Sequence, residues 1–189
     1  MIANMDKKRK EKIADRQLTP GRRFLAFLPA LVIMGLIFFF SAQPAEESGE
    51  VSEFLGERFF QAASNLFGLG WTMQKIASLN LEAQHAIRKA AHFTEYFILG
   101  LALFRGFRVN FPEVHNSRSG ILRKWTLQPV IISGLYAASD EIHQIFIPGR
   151  YAAVSDALVD TLGAATGILL LSLIRMVQSG KPVEVDHGS

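Results

Sequence analysis

Four long apolar stretches follow one another along the chain, and charged or turn-forming residues separate them. A helix needs about 20 mostly apolar residues to cross a bilayer. Stretches of about this length occupy residues 24–42, 88–107, 127–147 and 154–177. Pro148 and Gly149 end the third stretch, because both residue types favour turns. The pattern predicts an all-α fold, an integral membrane four-helix bundle within residues 24–177.

The segment between the first two stretches has a different periodicity. Within residues 49–70, apolar side chains recur at helical spacing, while Glu50, Glu53 and Glu57 occupy another face. The apolar positions are Val51, Phe54, Leu55, Phe59, Ala62 and Leu66. This pattern predicts an extra amphipathic helix on the extracytoplasmic side, lying on the outer bilayer surface. A lid that packs on the bundle is the alternative.

The basic residues indicate the orientation. Eight of the 20 Lys and Arg residues lie in residues 1–23, and five lie between Arg105 and Lys124. Cytoplasmic segments of membrane proteins are enriched in Lys and Arg. We therefore predict a basic cytoplasmic tail at 1–23, a C-terminal cytoplasmic tail at 178–189, and a multi-pass protein with both termini inside. A signal peptide cleaved near Ala42 is the alternative interpretation of the first stretch.

Composition excludes several classes of protein and site. Hydrophobic residues make up 49% of the 189 residues, which suits one integral membrane domain. The absence of cysteine excludes disulfides, thiolate metal sites and cysteine nucleophiles. The net charge of +3 comes from the N-terminal flank, so no nucleic acid partner is predicted. No cofactor is predicted either.

Polar residues interrupt the outer halves of the last three stretches. The second helix is predicted to run inward and the third outward, so these residues meet on one side of the membrane. They are Lys89, His92, Glu95 and Tyr96 on the second helix, Asp140, Glu141, His143 and Gln144 on the third, Arg150 in the next turn, and Asp156 and Asp160 on the fourth. A charged residue at the centre of a span costs roughly 2.5–3.5 kcal/mol. The five acids are therefore expected to face the interior, where crowding keeps at least one protonated.

A row of small residues on the fourth helix supports this placement. At about 100° per residue, Asp156, Asp160, Gly163 and Gly167 lie along one line of the helix surface. Glycines at this spacing let a neighbouring backbone approach closely. The two aspartates above them are therefore expected to face that neighbour and not lipid.

The motifs on these helices resemble a known family. The stretches RKAAHFTEYFILG and GLYAASDEIHQIFIPGRYAAVSDALVDTLGAATG, with FFFSAQP at the end of the first apolar run, are similar to the VanZ-like bacterial membrane proteins. The matching positions are Ser41 and Pro44; Lys89, His92, Phe93 and Tyr96; Tyr136, Asp140, Glu141 and Gln144; Pro148, Gly149 and Arg150; and Asp156, Asp160, Gly163 and Gly167. The resemblance covers roughly residues 24–174 and implies the bacterial cytoplasmic (inner) membrane. It also implies a link to the cell envelope and antibiotic resistance, since the founding members are associated with low-level teicoplanin resistance, but it carries no agreed activity.

Two functional hypotheses fit the polar residues, and whether the protein is an enzyme stays open. The first is a site at the outer leaflet that binds an anionic envelope component or drug, with Lys89 and Arg150 holding the anion. Its partners would be membrane lipid, a lipid-linked envelope precursor or a glycopeptide. The predicted ligand-binding residues are Lys89, His92, Tyr96, Asp140, Glu141, Gln144, Arg150, Asp156 and Asp160.

The second hypothesis is a membrane-embedded hydrolase or transferase acting on a lipid-linked envelope precursor. His92 or His143 would be the general base, oriented by Asp140 or Glu141. Weak candidates for metal ligands are Glu95, Asp156 and Asp160. A purely structural polar network that holds the helices together is a further alternative, as is transport or proton coupling.

Overall fold

The computed structural model describes residues 19–112 and 118–179, and within these ranges the chain is helical with no strand. The long helices are α1 (Pro20–Ser41), α2 (Ala45–Phe67), α3 (Met73–Asn110), α4 (Gln128–Gln144) and α5 (Val154–Ser179). A single turn, Arg118–Gly120, and a π-helical segment, Ile121–Leu127, lead into α4. The predicted all-α class is confirmed. The predicted tails fall mostly outside the described residues.

Local signals set the helix boundaries. Pro20 occupies the start of α1, where the missing N–H costs no helical hydrogen bond. The α2 helix ends at Gly68, whose φ of 61° lies in the left-handed region that glycine adopts without strain. Thr72 caps α3, because its hydroxyl accepts a hydrogen bond from the Lys75 N–H at 3.3 Å.

The α3 helix is longer than the predicted second span. Its 38 residues extend about 57 Å at 1.5 Å per residue, nearly twice the thickness of a hydrocarbon core. The sequence-based span of 88–107 covers only its second half. The first half pairs with α2 instead, where the Asn80 side chain donates to the Glu53 carbonyl oxygen at 2.9 Å. Gly56 makes this contact possible, since a Cβ there would collide with Asn80.

The α2 helix uses its small residues, and not its apolar row, to contact α3. Ser52, Gly56 and Ser64 are buried. The predicted apolar positions stay exposed instead, with Phe59 at 67% and Leu66 at 79% of their surface accessible. This arrangement differs from a lid whose apolar face covers the bundle. It leaves the hydrophobic face of α2 exposed, and contact of that face with water is energetically unfavourable.

The core forms around α3, which packs most extensively on α5 and also on α1, while α4 packs mainly on α5. Tyr96, Leu99 and Leu103 of α3 lie at the centre of one buried cluster. A second cluster joins Phe104 to Trp125 and other residues near the opposite end. The polar residues of interest lie beside the first cluster.

Glycines allow the close contact between α3 and α5. A Cβ at Gly163 would collide with the carbonyl oxygen of Phe93, and one at Gly167 would lie 2.6 Å from that of Phe97. The contact is reciprocal, because Gly100 of α3 faces the backbone of α5 in the same way. The row predicted from the sequence therefore faces a neighbouring helix, as the small-residue spacing indicates.

Within residues 19–112 and 118–179, two helices, α1 and α5, are long and apolar enough to cross a membrane. They correspond to the first and fourth predicted spans. The other two predicted spans do not meet this criterion of length and apolar character, for physical reasons. The α4 helix has only 17 residues, and the first half of the second span carries Arg88, Lys89 and Glu95.

Candidate functional site

Side chains of α3, α4 and α5 enclose a cavity of about 30 Å³ near the C-terminus of α4 and the start of α5. It is lined by Arg88, Lys89, His92, Glu141, Gln144, Asp156, Val159 and Asp160. One water needs about 10–15 Å³, so this space takes two or three waters or one small polar group.

The cavity brings together six of the residues predicted to bind ligand, on three helices. It also includes Arg88 and Val159, which the sequence reasoning missed. The signal for Arg88 was present, because it lies one helical turn before His92 and therefore on the same face. Tyr96, Asp140 and Arg150 do not line the cavity.

An ion pair between α3 and α5 stands at the rim. The Lys89 Nζ lies 2.8 Å from Asp156 Oδ1, and the Ser155 hydroxyl donates to the same oxygen at 3.1 Å. The Lys89 and Asp156 side chains are 31% and 42% exposed. Partial exposure to solvent weakens such a pair. Both charges are nevertheless engaged with each other.

Asp160 lies one turn further along α5 and is almost fully buried, with 2% of its surface accessible. It lines the cavity. Within the described residues it makes no hydrogen bond and no ion pair. An acid in such a position carries a desolvation cost that no protein contact offsets.

Glu141 and Gln144 tie α4 to its neighbours. Glu141 Oε2 accepts the backbone N–H of Ala153 at 2.8 Å, just before α5 begins. The Gln144 amide donates to the Ser41 hydroxyl at 2.9 Å, at the end of α1. Both side chains are buried. These contacts hold the ends of three helices together while leaving the two side chains on the cavity wall.

Asp140 and Tyr96 lie in the protein interior and leave polar atoms without partners. Asp140 Oδ2 is 3.5 Å from the Gln144 amide, whereas its Oδ1 is buried with no hydrogen bond among the described residues. The Tyr96 hydroxyl is equally unpartnered within that part of the chain. Tyr136, whose ring centroid is 6.0 Å from that of Tyr96, instead donates to the Met34 carbonyl oxygen at 2.6 Å.

The histidines are not arranged as an acid–base pair. His92 Nδ1 lies 3.7 Å from Glu95 Oε2, which is beyond hydrogen-bonding distance. The Nδ1 atom is buried and has no hydrogen-bond partner in the described residues. His143 stacks on the Phe38 ring of α1, with centroids 4.5 Å apart, and does not line the cavity.

Arg150 fastens the turn after α4 to the end of α1. Its Nε donates to the Gln43 carbonyl oxygen at 3.0 Å, and its Nη2 to that of Phe40 at 3.4 Å. Burial lowers the pKa of Arg150, and Arg88 lowers it further, whereas the carboxylates of Asp140, Glu141 and Glu95 raise it. The guanidinium thus lies near the acids without pairing with any of them at ion-pair distance.

The weak candidates for metal ligands are not brought together. Among residues 19–112 and 118–179, no three His, Asp or Glu side chains converge as a metal site requires. Asp156 is already paired with Lys89. Glu95 and Asp160 lie on different helices, α3 and α5.

Comparison with known proteins adds one finding. A family model described as VanZ/LLP1 matches residues 26–175, a range that includes every residue of the cavity. No curated protein matches the chain. No solved structure matches it either.

Proposed function

The chain belongs to the VanZ/LLP1 family of membrane proteins, and we propose that its cavity is a binding site at the outer leaflet for the polar end of an envelope component. One observation carries this proposal: the ionisable side chains of three helices converge on one small space. Ionisable residues inside membrane helices are costly and usually functional. The proposed role is in cell-envelope function, including tolerance of glycopeptides such as teicoplanin.

The proposed setting is the bacterial cytoplasmic membrane, crossed by α1, α3, α4 and α5 with both termini inside. A lipid-facing apolar surface supports the insertion of these helices in a membrane. Large apolar side chains are exposed on each of these helices, among them Phe39 at 62%, Leu135 at 68% and Val177 at 67%. The exposed row of α2 would then rest in the outer interface.

Cysteine labelling tests the orientation, because the chain has no native cysteine. We expect Glu46→Cys and Tyr151→Cys to react with a membrane-impermeant maleimide on intact cells. Arg22→Cys and Arg123→Cys should react only after permeabilisation. All four positions are exposed, so access to solvent is matched. The reverse labelling pattern would contradict the proposed orientation.

Binding is better supported than catalysis. No hydrogen bond orients the His92 ring through Nδ1 within the described residues, and Glu95 Oε2 lies 3.7 Å from that atom. The geometry also changes the roles proposed for the cations. Lys89 pairs with Asp156, and Arg150 binds backbone carbonyls. Arg88 is therefore the cation on the cavity wall best placed to receive an anion.

A susceptibility assay tests the function. A Gram-positive host would express the wild type, Asp160→Asn, or the control Glu82→Gln, which removes a charge at an exposed position of α3. Membrane levels would be matched by immunoblot. We expect the wild type and Glu82→Gln to raise the inhibitory concentration of teicoplanin and Asp160→Asn to lose that effect. Equal protection by all three variants would exclude the cavity from the function, and no protection by the wild type would exclude the glycopeptide role.

A further inference from the structure

The cavity offers more hydrogen-bond acceptors than the protein uses. Lys89 and Asp156 satisfy each other at the rim, and Glu141 accepts one backbone N–H. Asp160 remains buried, faces the cavity and has no hydrogen-bond or ion-pair partner in the described chain. When ionised, a carboxylate accepts hydrogen bonds and donates none, so the group that would stabilise the ionised form of Asp160 is a donor with positive charge.

The size and lining of the cavity limit the kind of cation that can bind there. A primary ammonium is compact and has three N–H donors. A quaternary ammonium is larger, has none, and is recognised by aromatic side chains. The wall contains no Phe, Tyr or Trp, and about 30 Å³ leaves little room for three methyl groups. Carboxylates around a small space therefore favour the primary ammonium.

Arg88 adds a requirement for an anion close to the ammonium. Its side chain lines the same cavity, and it forms no ion pair within residues 19–112 and 118–179. A guanidinium binds a phosphate or carboxylate through paired N–H donors. A ligand with both charges would meet Asp160 with one end and Arg88 with the other.

We propose that the cavity binds the primary ammonium of a zwitterionic aminophosphate head group, with Asp160 accepting from the ammonium and Arg88 donating to the phosphate. The inference rests on the proposed outer-leaflet site and specifies its ligand. The chemistry is shared by an ethanolamine phospholipid and by free phosphoethanolamine. Only the ammonium end enters the cavity, so the phosphate would lie at its mouth beside Arg88 and the acyl chains would remain in the bilayer beside α3 and α5.

Matched short-chain lipids provide the test. The purified full-length protein in detergent would be titrated with dihexanoyl phosphatidylethanolamine, phosphatidylcholine or phosphatidylglycerol, and thermal unfolding followed by circular dichroism. These lipids differ only in the head group. A ligand that binds the folded state raises the melting temperature as its concentration exceeds Kd. We expect a saturable rise with phosphatidylethanolamine alone. Equal shifts with all three lipids, or no shift with any of them, would overturn the proposal.

Variants test whether the rise in melting temperature with phosphatidylethanolamine comes from binding in the cavity. Asp160→Asn is expected to weaken phosphatidylethanolamine binding by about tenfold or more, since an ionic hydrogen bond is lost. Glu82→Gln should leave it unchanged. If Asp160→Asn fails to fold, Val159→Leu replaces it, because the larger side chain narrows the cavity while keeping every charge. Wild-type affinity in a folded Asp160→Asn or Val159→Leu protein would overturn the proposal.

Competition by free phosphoethanolamine identifies the source of the head group. Displacement of the lipid would show that the aminophosphate alone suffices. Retention of an Asp160-dependent lipid signal without displacement would support the membrane lipid as the source.

The susceptibility assay separates this inference from the proposed function. If Asp160→Asn loses protection but no lipid selectivity is found, the ammonium ligand is wrong and the functional site stands. If phosphatidylethanolamine binds selectively but Asp160→Asn protects as well as the wild type, the ligand is right and the proposed role of the cavity in glycopeptide tolerance is wrong.

Discussion

The contact between α3 and α5 should be intolerant of a single methyl group at Gly163. A Cβ at this position would collide with the Phe93 carbonyl oxygen and lie 3.1 Å from its carbonyl carbon and 3.2 Å from its Cα. All three atoms belong to the backbone of α3, which cannot rotate away as a side chain can. The helices must separate to admit the methyl group, and Asp160, one turn earlier on α5, would move with them.

A comparison with a matched variant gives the expected loss of stability. Overpacking a well-filled contact costs about 1–3 kcal/mol, whereas replacing Gly by Ala within a helix gains up to about 1 kcal/mol from conformational preference. Gly134→Ala serves as the control. Its Cβ would lie 3.5 Å from the nearest Thr161 side-chain atoms, an ordinary contact. Both variants gain the same helix preference from alanine, so the difference between their unfolding free energies measures the cost of the collision at Gly163.

Equilibrium unfolding of the full-length protein in mixed detergent micelles would measure this difference. We expect Gly163→Ala to be less stable than Gly134→Ala by about 1–3 kcal/mol. Unfolding would be monitored by circular dichroism and by tryptophan fluorescence, whose transitions should coincide if one free energy is to describe them. Equal unfolding free energies for the two variants would refute the close approach of α3 and α5 at this point.

Three further predictions concern the rim, the turn and the outer helix. A double-mutant cycle with Lys89→Met and Asp156→Asn should give a coupling of no more than about 1 kcal/mol, because both side chains are partly exposed; a coupling above about 2 kcal/mol would contradict this. Arg150→Gln should reduce the unfolding free energy by about 1–3 kcal/mol through loss of its contacts with backbone carbonyls, with partial recovery in Arg150→Lys; equal stability of Arg150→Gln and wild type would argue against this role. Phe59→Trp, at a position 67% exposed, should be quenched by brominated lipids in reconstituted vesicles, and quenching by aqueous iodide alone would exclude contact of α2 with the bilayer.

The polar cluster divides into two groups with different implications. Glu141, Gln144 and Arg150 each reach another helix end or turn, as a structural network requires. Asp160 and the Tyr96 hydroxyl are buried and make no such contact within the described chain, and of the two only Asp160 lines the cavity. Helix association accounts for the first group. It does not account for buried groups that bind nothing, which is why the cavity, and not the network, is the better candidate for function.

Sequence periodicity was sufficient to predict α1 and α5 and the shared face of the cavity residues. An apolar run of about 20 residues and a spacing of three to four are local properties, set by helix geometry before any packing occurs. The same geometry placed Asp156 and Asp160 above Gly163 on one row. These predictions needed no knowledge of which helix would be the neighbour.

Tertiary structure alone decided where α3 begins, which face of α2 is buried, and what Arg150 binds. The first half of α3 is too polar to be predicted as a span, and its partner α2 contacts it through small residues that carry little hydropathy signal. Arg150 binds carbonyl oxygens that lie 107 and 110 residues away along the chain. Any backbone carbonyl can accept such a hydrogen bond, so the sequence carries no mark of the partner. The sequence determined which residues share a helix face, and packing determined which of them are left to bind something else.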